Sequence, residues 1–385
     1  MRWDLVVVGA GPAGSATALA ALQADPALRV LLLDRCDFPR DKACGDGVAP
    51  HVLDVLAGVG VTGLLDDLPA LRLLELRAGA GSVTRRMRRE ARVVPRSVLD
   101  ARLVQRAVAS GAELRRHRVR EVRTDGAGVE LDGELRARVL VGADGAHSVV
   151  RRAVGLPPAR QRALAVRGYA PTRPEHRGRQ VIVFGDDAQP AYAWAFDRGD
   201  GLANVGYGQL LRPGRPAPPR PVLVARAEQL LPGATHDGTG WRGHPLPLSS
   251  ARWTSPDGPV LLTGDAAGLV NPLSGEGLYY AVATGVLAGR AAAAAAHGEP
   301  PDVRDPGRGY RRAVRTLLGG HLGHTAAASR LLAVPGVIRA AVGASSADQA
   351  VFDDLVELGL GAGRVTPRVA AGLARALVRS GDLRP

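Results

Sequence analysis

The chain has 385 residues, 46% hydrophobic and 23% charged, a balance that excludes disorder and allows more than one layer or domain around a shared ligand. No apolar stretch is expected to reach the roughly 18–20 residues that span a bilayer. The first apolar run leads straight into a glycine turn, unlike a secretory signal, and two cysteines make neither a disulfide framework nor a zinc ligand set.

No metal is therefore expected, and the cytoplasm is the expected compartment. The net charge of +13 is carried by arginine, since Lys42 is the only lysine among 50 basic residues. No nucleic-acid signature accompanies it, so no nucleic-acid partner is expected. A cationic face would still suit an anionic membrane surface, as a peripheral contact.

Leu5 to Val8 reads as a short buried parallel strand, followed at once by Gly9, Gly11 and Gly14 in GxGxxG spacing with Pro12 and Ala13 between them. The first glycine permits a tight turn, the second lets backbone approach a pyrophosphate, and the third lets the next helix pack on the sheet. Ala16 to Leu22 reads as that helix, whose N-terminal amides favour a diphosphate. A second strand, Arg29 to Leu33, ends in Asp34, followed by Arg35. An acid placed there can accept hydrogen bonds from both ribose hydroxyls and disfavours a 2′-phosphate.

Residues 95–114 carry apolar positions at i, i+3 and i+4 and predict an amphipathic helix. The basic run Arg85, Arg86, Arg88, Arg89 reads as a solvated strand edge. Short strands lead into GADGAHSVVRR, where Asp144 follows a buried strand and Ser148 and Arg151 begin a helix. Residues 162–254 are strand-rich, interrupted by the loop RPGRPAPPRP (212–221) and a short helix, and predict a mixed sheet roofing the ligand.

In TGDAAGLVNPLSGEG, Gly264 and Asp265 end a strand, where the carboxylate can bond a polyol such as ribityl. Pro272, Gly275, Glu276 and Gly277 form a bent loop at a helix N-terminus, suited to the pyrimidine edge of a flavin. The helix LYYAVATGVLAGRAAAAAA runs to the loop HGEPPDVRDPGRG, and the rest is alanine- and leucine-rich helix.

Three motifs in this order predict an α/β protein, α+β overall, that folds around one FAD. A Rossmann-like FAD-binding domain (1–70, 95–161 and 255–300) is interleaved with a mixed β-sheet substrate domain (71–94 and 162–254), and a C-terminal helical region (301–385) follows.

Four segments resemble the geranylgeranyl reductase family, which includes bacterial menaquinone (prenyl side chain) reductases, within the flavoprotein superfamily of the p-hydroxybenzoate hydroxylase fold. They are FPRDKACGDGVAP (38–50), PAYAWAFDRGDGLANVGYG (190–208), NPLSGEGLYYA (271–281) and DDLVELGLGAGRVTP (353–367). The resemblance implies that Cys44, Gly45 and Asp46 lie beside the flavin ring, that Arg96 contacts the dinucleotide, and that Tyr192 and Trp194 line the substrate pocket. It departs at Asp197, where the family has proline, and at Ala191 and Ala193, where it has glycines.

The implied activity is reduction of carbon–carbon double bonds in a hydrophobic prenyl substrate. NAD(P)H or a reduced electron carrier would be the donor, and a reductase or ferredoxin the partner. Protonation candidates are Cys44, Tyr192, Tyr279 and Tyr280, with Trp194 stabilising cationic character. The same scaffold supports FAD-dependent monooxygenases, and a non-redox flavoprotein cyclase or isomerase is a further reading. Halogenation fits less well, because YAWAFD and GDG stand where halogenases carry WxWxIP-like and GES segments.

Overall fold

The computed structural model describes residues 2–125, 128–185, 189–212, 214–296, 305–334 and 336–380. Residues 297–304 of the loop expected after the alanine-rich helix, and Pro213 of the proline-rich loop, lie outside them.

The strand Arg2–Val8 pairs in parallel with Val30–Asp34 on one side and Leu135–Gly142 on the other. Glu113–Arg116 extends the sheet beyond Val30–Asp34, and Val260–Leu262 joins Leu135–Gly142, both in parallel. An antiparallel pair, Val122–Asp125 and Gly128–Leu131, completes the sheet beside Leu135–Gly142.

The unbroken apolar runs follow from burial on both faces. Leu5 and Val7 face the cluster that includes Leu19, Leu103 and Val282, while Val6 and Val8 face the one that includes Val119, Val129 and Val150. All four strand residues are at most 6% exposed.

The helix Pro12–Ala24 starts four residues earlier than its apolar pattern suggests, because Pro12 occupies the first turn, where its missing N–H costs nothing. It packs against Leu278–Ala296. That helix corrects one expectation: its 19 residues are long and apolar enough to cross a membrane by composition, yet 67% of the apolar window is buried inside the protein. The expected helix at 95–114 is observed as Arg96–Ala109, ending where Ser110 and Gly111 form a turn.

The second sheet runs in the order Thr239–Pro247, Arg162–Pro171, Leu202–Leu210, Ala191–Asp197, Arg179–Phe184, Ala70–Ala78, Gly81–Val93 and Gly47–Val48. Its pairings are antiparallel except for Arg179–Phe184 on Ala70–Ala78. The back of this sheet holds Ala191, Ala193 and Ala195 against Leu223 and Ala227 of the helix Arg220–Leu230.

Four helices follow: Pro306–Leu331, Val337–Ala347, Gln349–Leu360 and Pro367–Ser380. Val337–Ala347 and Gln349–Leu360 pack on Gly81–Val93 of the second sheet, Pro367–Ser380 packs on those two helices, and Pro306–Leu331 lies against Leu278–Ala296; here the basic run does more than edge a strand. Arg85 donates to the carbonyls of Ser345 and Ser346, both at 2.6 Å, and to Gln349 at 3.0 Å. Arg88 pairs with Asp353 at 3.3 Å, and Arg89 with Asp54 at 2.6 Å.

Candidate active site

One cavity of about 1440 Å³ lies between the two sheets and the C-terminal helices. Single-ligand pockets run to roughly 300–1,000 Å³, so this one has room for a dinucleotide and a second molecule. Its lining includes residues of all three glycine-rich motifs and of the Cys44 segment.

At the dinucleotide end, the close packing of the first motif is enforced by Gly14. A Cβ there would lie 1.8 Å from the carbonyl oxygen of Gly9. The Ala10 N–H donates to Asp34 Oδ2 at 2.9 Å and the Cys36 N–H to Oδ1 at 3.0 Å, which fixes that carboxylate. Arg35 lines the cavity beside it and is solvent-exposed.

Two guanidiniums converge on Gly11, with Arg40 Nη2 3.3 Å and Arg96 Nη2 3.7 Å from where its Cβ would be. Arg96 is held by a bidentate pair with buried Asp100, at 2.6 and 2.9 Å, and Arg40 bridges Asp100 at 3.2 Å and Asp34 at 3.7 Å. Burial alone would weaken the Arg96 charge; Asp100 more than offsets it and raises its pKa. Asp100 is a positioning residue that the sequence reading missed, though its i+4 spacing from Arg96 was a signal.

Asp144 accepts from the Val149 N–H at 2.7 Å, while its Oδ1 is buried without a partner. Ser148 caps the same helix, accepting from the Arg151 N–H at 2.9 Å. Asp265 meets Lys42 at 3.2 Å and His244 at 3.4 Å. Burial acts to raise its pKa, but those two partners overcome it and keep Asp265 ionised. Gly264 adjoins it, its N–H donating to the Thr284 hydroxyl at 3.1 Å.

The loop 271–277, with Pro272, Gly275, Glu276 and Gly277 in the cavity lining, sits at the N-terminus of Leu278–Ala296. It is bolted to a distant segment: Asn271 Nδ2 donates to the Leu358 carbonyl at 2.9 Å and the Ser274 hydroxyl to that of Gly359 at 2.6 Å. Glu276 accepts from the Tyr279 N–H at 2.9 Å. Burial nevertheless pushes its carboxyl up to about 7, against the opposing pull of backbone hydrogen bonds, His51 and Arg96.

Asp46 is fully buried in a left-handed backbone conformation, φ 60°. Its Oδ2 accepts from Tyr169 at 2.6 Å and Asn204 at 2.8 Å, and Asn204 also donates to the Cys44 carbonyl at 2.8 Å. Trp194 Nε1 donates to Asn204 Oδ1 at 2.8 Å, so the indole, the amide and the carboxyl form one network. Asp46 Oδ1 is left without a partner, and burial lifts this carboxyl to about 6 despite the Tyr169 and Asn204 bonds. Cys44 opens onto the same cavity beside Gly45. Burial raises its thiol, Arg96 opposing, and it stays neutral.

Strand alternation sends Tyr192, Trp194 and Phe196 into the cavity and the intervening alanines away from it. Gly206 lets Trp194 lie flat on the neighbouring strand, since a Cβ there would sit 2.3 Å from the indole ring. The three departures from the family pattern therefore lie off the cavity wall. Ala191 and Ala193 pack behind the sheet. Asp197 ties a turn, accepting from Thr172 at 3.1 Å and from the N–H groups of Gly178 and Gly199 at 2.7 and 3.0 Å.

Two tyrosine expectations need correction. Tyr280 lies outside the cavity lining, buried at 1% exposure with its hydroxyl 2.5 Å from His321 Nε2; Tyr279 also lies outside it, edge-on to His51. The helix turns both side chains away from the loop that precedes them. The Tyr192 hydroxyl does reach the cavity wall, but donates to the Ser274 carbonyl.

These residues suit a flavin dinucleotide: paired guanidiniums meet a helix N-terminus, Asp34 is ordered by two backbone N–H groups, and Asp46 and Asp144 of the cavity lining each keep one buried carboxylate oxygen without a partner. Removing Asp265 tests the polyol contact. Asp265→Ala should fold yet retain little flavin, because loss of a charged hydrogen bond costs about 1.5–3 kcal/mol, roughly ten- to a hundredfold in affinity. Flavin absorbance per mole of purified protein reads the result, and full occupancy would remove Asp265 from the site.

Residues 2–183 match the FAD binding domain family. The chain is 34% identical over 319 residues to a menaquinone reductase of Mycolicibacterium smegmatis, covering 74% of this chain and 75% of that one. It is 33% identical over 321 residues to digeranylgeranylglycerophospholipid reductase 1 of Methanopyrus kandleri, covering 76% and 80%. A solved structure from Thermoplasma acidophilum, described as geranylgeranyl bacteriochlorophyll reductase-like, superposes with a TM-score of 0.76 at 19% identity over 100% of this chain and 99% of that one, a likeness of fold. Related at 33–34% identity over about three quarters of its length to these reductases, the chain belongs to the geranylgeranyl reductase family of FAD-dependent oxidoreductases.

Proposed function

We propose that the protein reduces carbon–carbon double bonds in the prenyl chain of a hydrophobic substrate, such as a prenylated quinone or a geranylgeranyl lipid. The observation that carries this reading is the far end of the cavity. It continues from Cys44 and Glu276 into an apolar slot lined by the half-buried Ile182, Phe184, Ile338, Leu355, Val356 and Leu373. Each methylene buried there gains about 0.8 kcal/mol before binding costs.

Reducing an isolated alkene adds a hydride to one carbon and a proton to the other. Reduced flavin, when bound, supplies the hydride equivalent. The chain must hold the alkene, exclude water and deliver the proton. Tyr192, Trp194 and Phe196 form an aromatic wall, with ring centroids 5.9 and 6.4 Å apart in succession, that can stabilise positive charge developing on the alkene.

Beside Tyr192, the cavity offers Cys44 and Glu276 as proton donors: a neutral thiol and a carboxyl that is about half protonated at pH 7. Asp46 stands behind them as a support, its network holding the Cys44 backbone and Trp194 in place. Electrons would come from NAD(P)H or a small reduced carrier such as ferredoxin, through a partner reductase where the carrier requires one. The site of action would be the cytoplasmic surface of a membrane.

An anaerobic assay decides between reduction and oxygenation. Chemically reduced enzyme given a prenylated quinone should yield a product two hydrogens heavier per double bond, read by mass spectrometry. Turnover only in air, with labelled oxygen in the product, would establish a monooxygenase instead.

A further inference from the structure

The prenyl slot has its own mouth. Ala327, Leu331 and Ala370 line the cavity and are also solvent-exposed, so the cavity reaches the surface between the helices Pro306–Leu331 and Pro367–Ser380. Leu331 is 54% exposed and Val334, on the turn that follows, 47%. The next helix, Val337–Ala347, continues the cavity wall with Val337 and Ile338. Leucine and valine side chains left in water at the entrance to an apolar slot indicate an apolar partner at that entrance.

Charge names the partner. Residues 306–347 contain six arginines and 358–380 four, with no aspartate or glutamate in either segment. Arg330 precedes the exposed turn and is itself exposed, as is Arg364 on the segment that leads to Ala370. Among the described residues, the acids of this region, Asp353, Asp354 and Glu357, sit on Gln349–Leu360 and face Arg88, Arg368 and His51. The mouth is thus apolar at its centre and cationic at its rim.

We infer that this mouth docks on an anionic lipid bilayer, with Leu331 and Val334 inserted among the acyl chains and Arg330 on the headgroup phosphates, and that prenyl chains enter the slot tail-first from the lipid. Apolar insertion combined with basic residues at the surface is how interfacial elements bind reversibly. The purpose of the contact rests on the prenyl reading above; the contact itself does not.

The test reads binding without turnover. Flavin-loaded protein is sedimented with vesicles of phosphatidylcholine alone and of phosphatidylcholine with phosphatidylglycerol. Arg330→Glu combined with Val334→Asn is compared with Arg123→Glu, which makes the same change of charge on an exposed strand of the first sheet. Neither Arg330 nor Val334 lines the cavity.

Wild-type protein and Arg123→Glu should bind the anionic vesicles, and the double variant should bind about tenfold more weakly. Its circular dichroism and its turnover of a detergent-dispersed substrate should stay unchanged. Equal losses in both variants would reduce the effect to diffuse net charge, and no binding to anionic vesicles at low salt would overturn the docking site. Intact vesicle binding without turnover of any prenyl substrate in detergent would instead count against the prenyl reading alone.

Discussion

Gly14→Ala should yield a protein that carries no flavin. The new Cβ would sit 1.8 Å from the Gly9 carbonyl oxygen and 3.2 Å from Val7 Cγ1, so backbone has to move. The turn cannot give way on its other side. Gly9 holds φ +100°, and the position of its own Cβ is only 2.4 Å from the Ala143 carbonyl oxygen. The helix start must therefore lift from the sheet, and its N–H groups stop converging beside Arg40 and Arg96. Clashes of this kind belong to the upper tail of single substitutions, about 4 kcal/mol or more. Gly319→Ala is the matched control: it lies in the helix Pro306–Leu331 with open space around it. That change should be neutral or stabilising by up to about 1 kcal/mol. Flavin absorbance and thermal denaturation of both variants give the answer, and normal flavin content in Gly14→Ala would show that the turn relaxes after all.

Glu276→Gln should lower turnover by about a hundredfold or more, the scale of a lost general acid, and should erase a pH dependence that the wild type shows. The sign follows from burial. Desolvation raises this carboxyl to about 7, so its protonated form prevails below that pH and is depleted above it. If Glu276 supplies the proton, single-turnover reduction is fast on the acid side and falls about tenfold per unit on the alkaline side. Glutamine keeps the shape and the acceptor for the Tyr279 N–H, but has no acidic proton. Cys44→Ser discriminates the rival donor, because it should leave the inflection near 7 in place while altering rate or the choice of double bond. A flat wild-type profile between about pH 6 and 9, or an inflection that survives in Glu276→Gln, would hand the proton to Cys44 or to water.

Glu276 shows where the sequence stopped being informative. Its place in NPLSGEG marked a flavin loop, and local chain geometry settled the turn and the helix start. That its carboxyl keeps a proton depends on walls contributed by residues far away in sequence, which no local pattern encodes. The tyrosines fail for the same reason. Tyr279 and Tyr280 follow the loop directly, yet a helix turns side chains through about 100° per residue, and here it directs both away from the cavity. Arg85 read as a solvated edge because its partners, Ser345, Ser346 and Gln349, lie some 260 residues away in the chain.

What the sequence determined by itself is what short-range physics encodes. Apolar runs ending in glycine or aspartate made the parallel strands, and GxGxxG with Asp34 made the dinucleotide turn. Strict alternation in Ala191–Asp197 sent Tyr192 and Trp194 to one face and the alanines to the other. Tertiary structure alone decided the rest. Asp100 orients Arg96, Asn204 joins Trp194 to Asp46, and the carbonyls of Leu358 and Gly359 anchor the loop 271–277. Each of these is a directional contact between groups that only the fold brings within 3 Å, and each acts in a desolvated interior where an unpaired polar atom is costly.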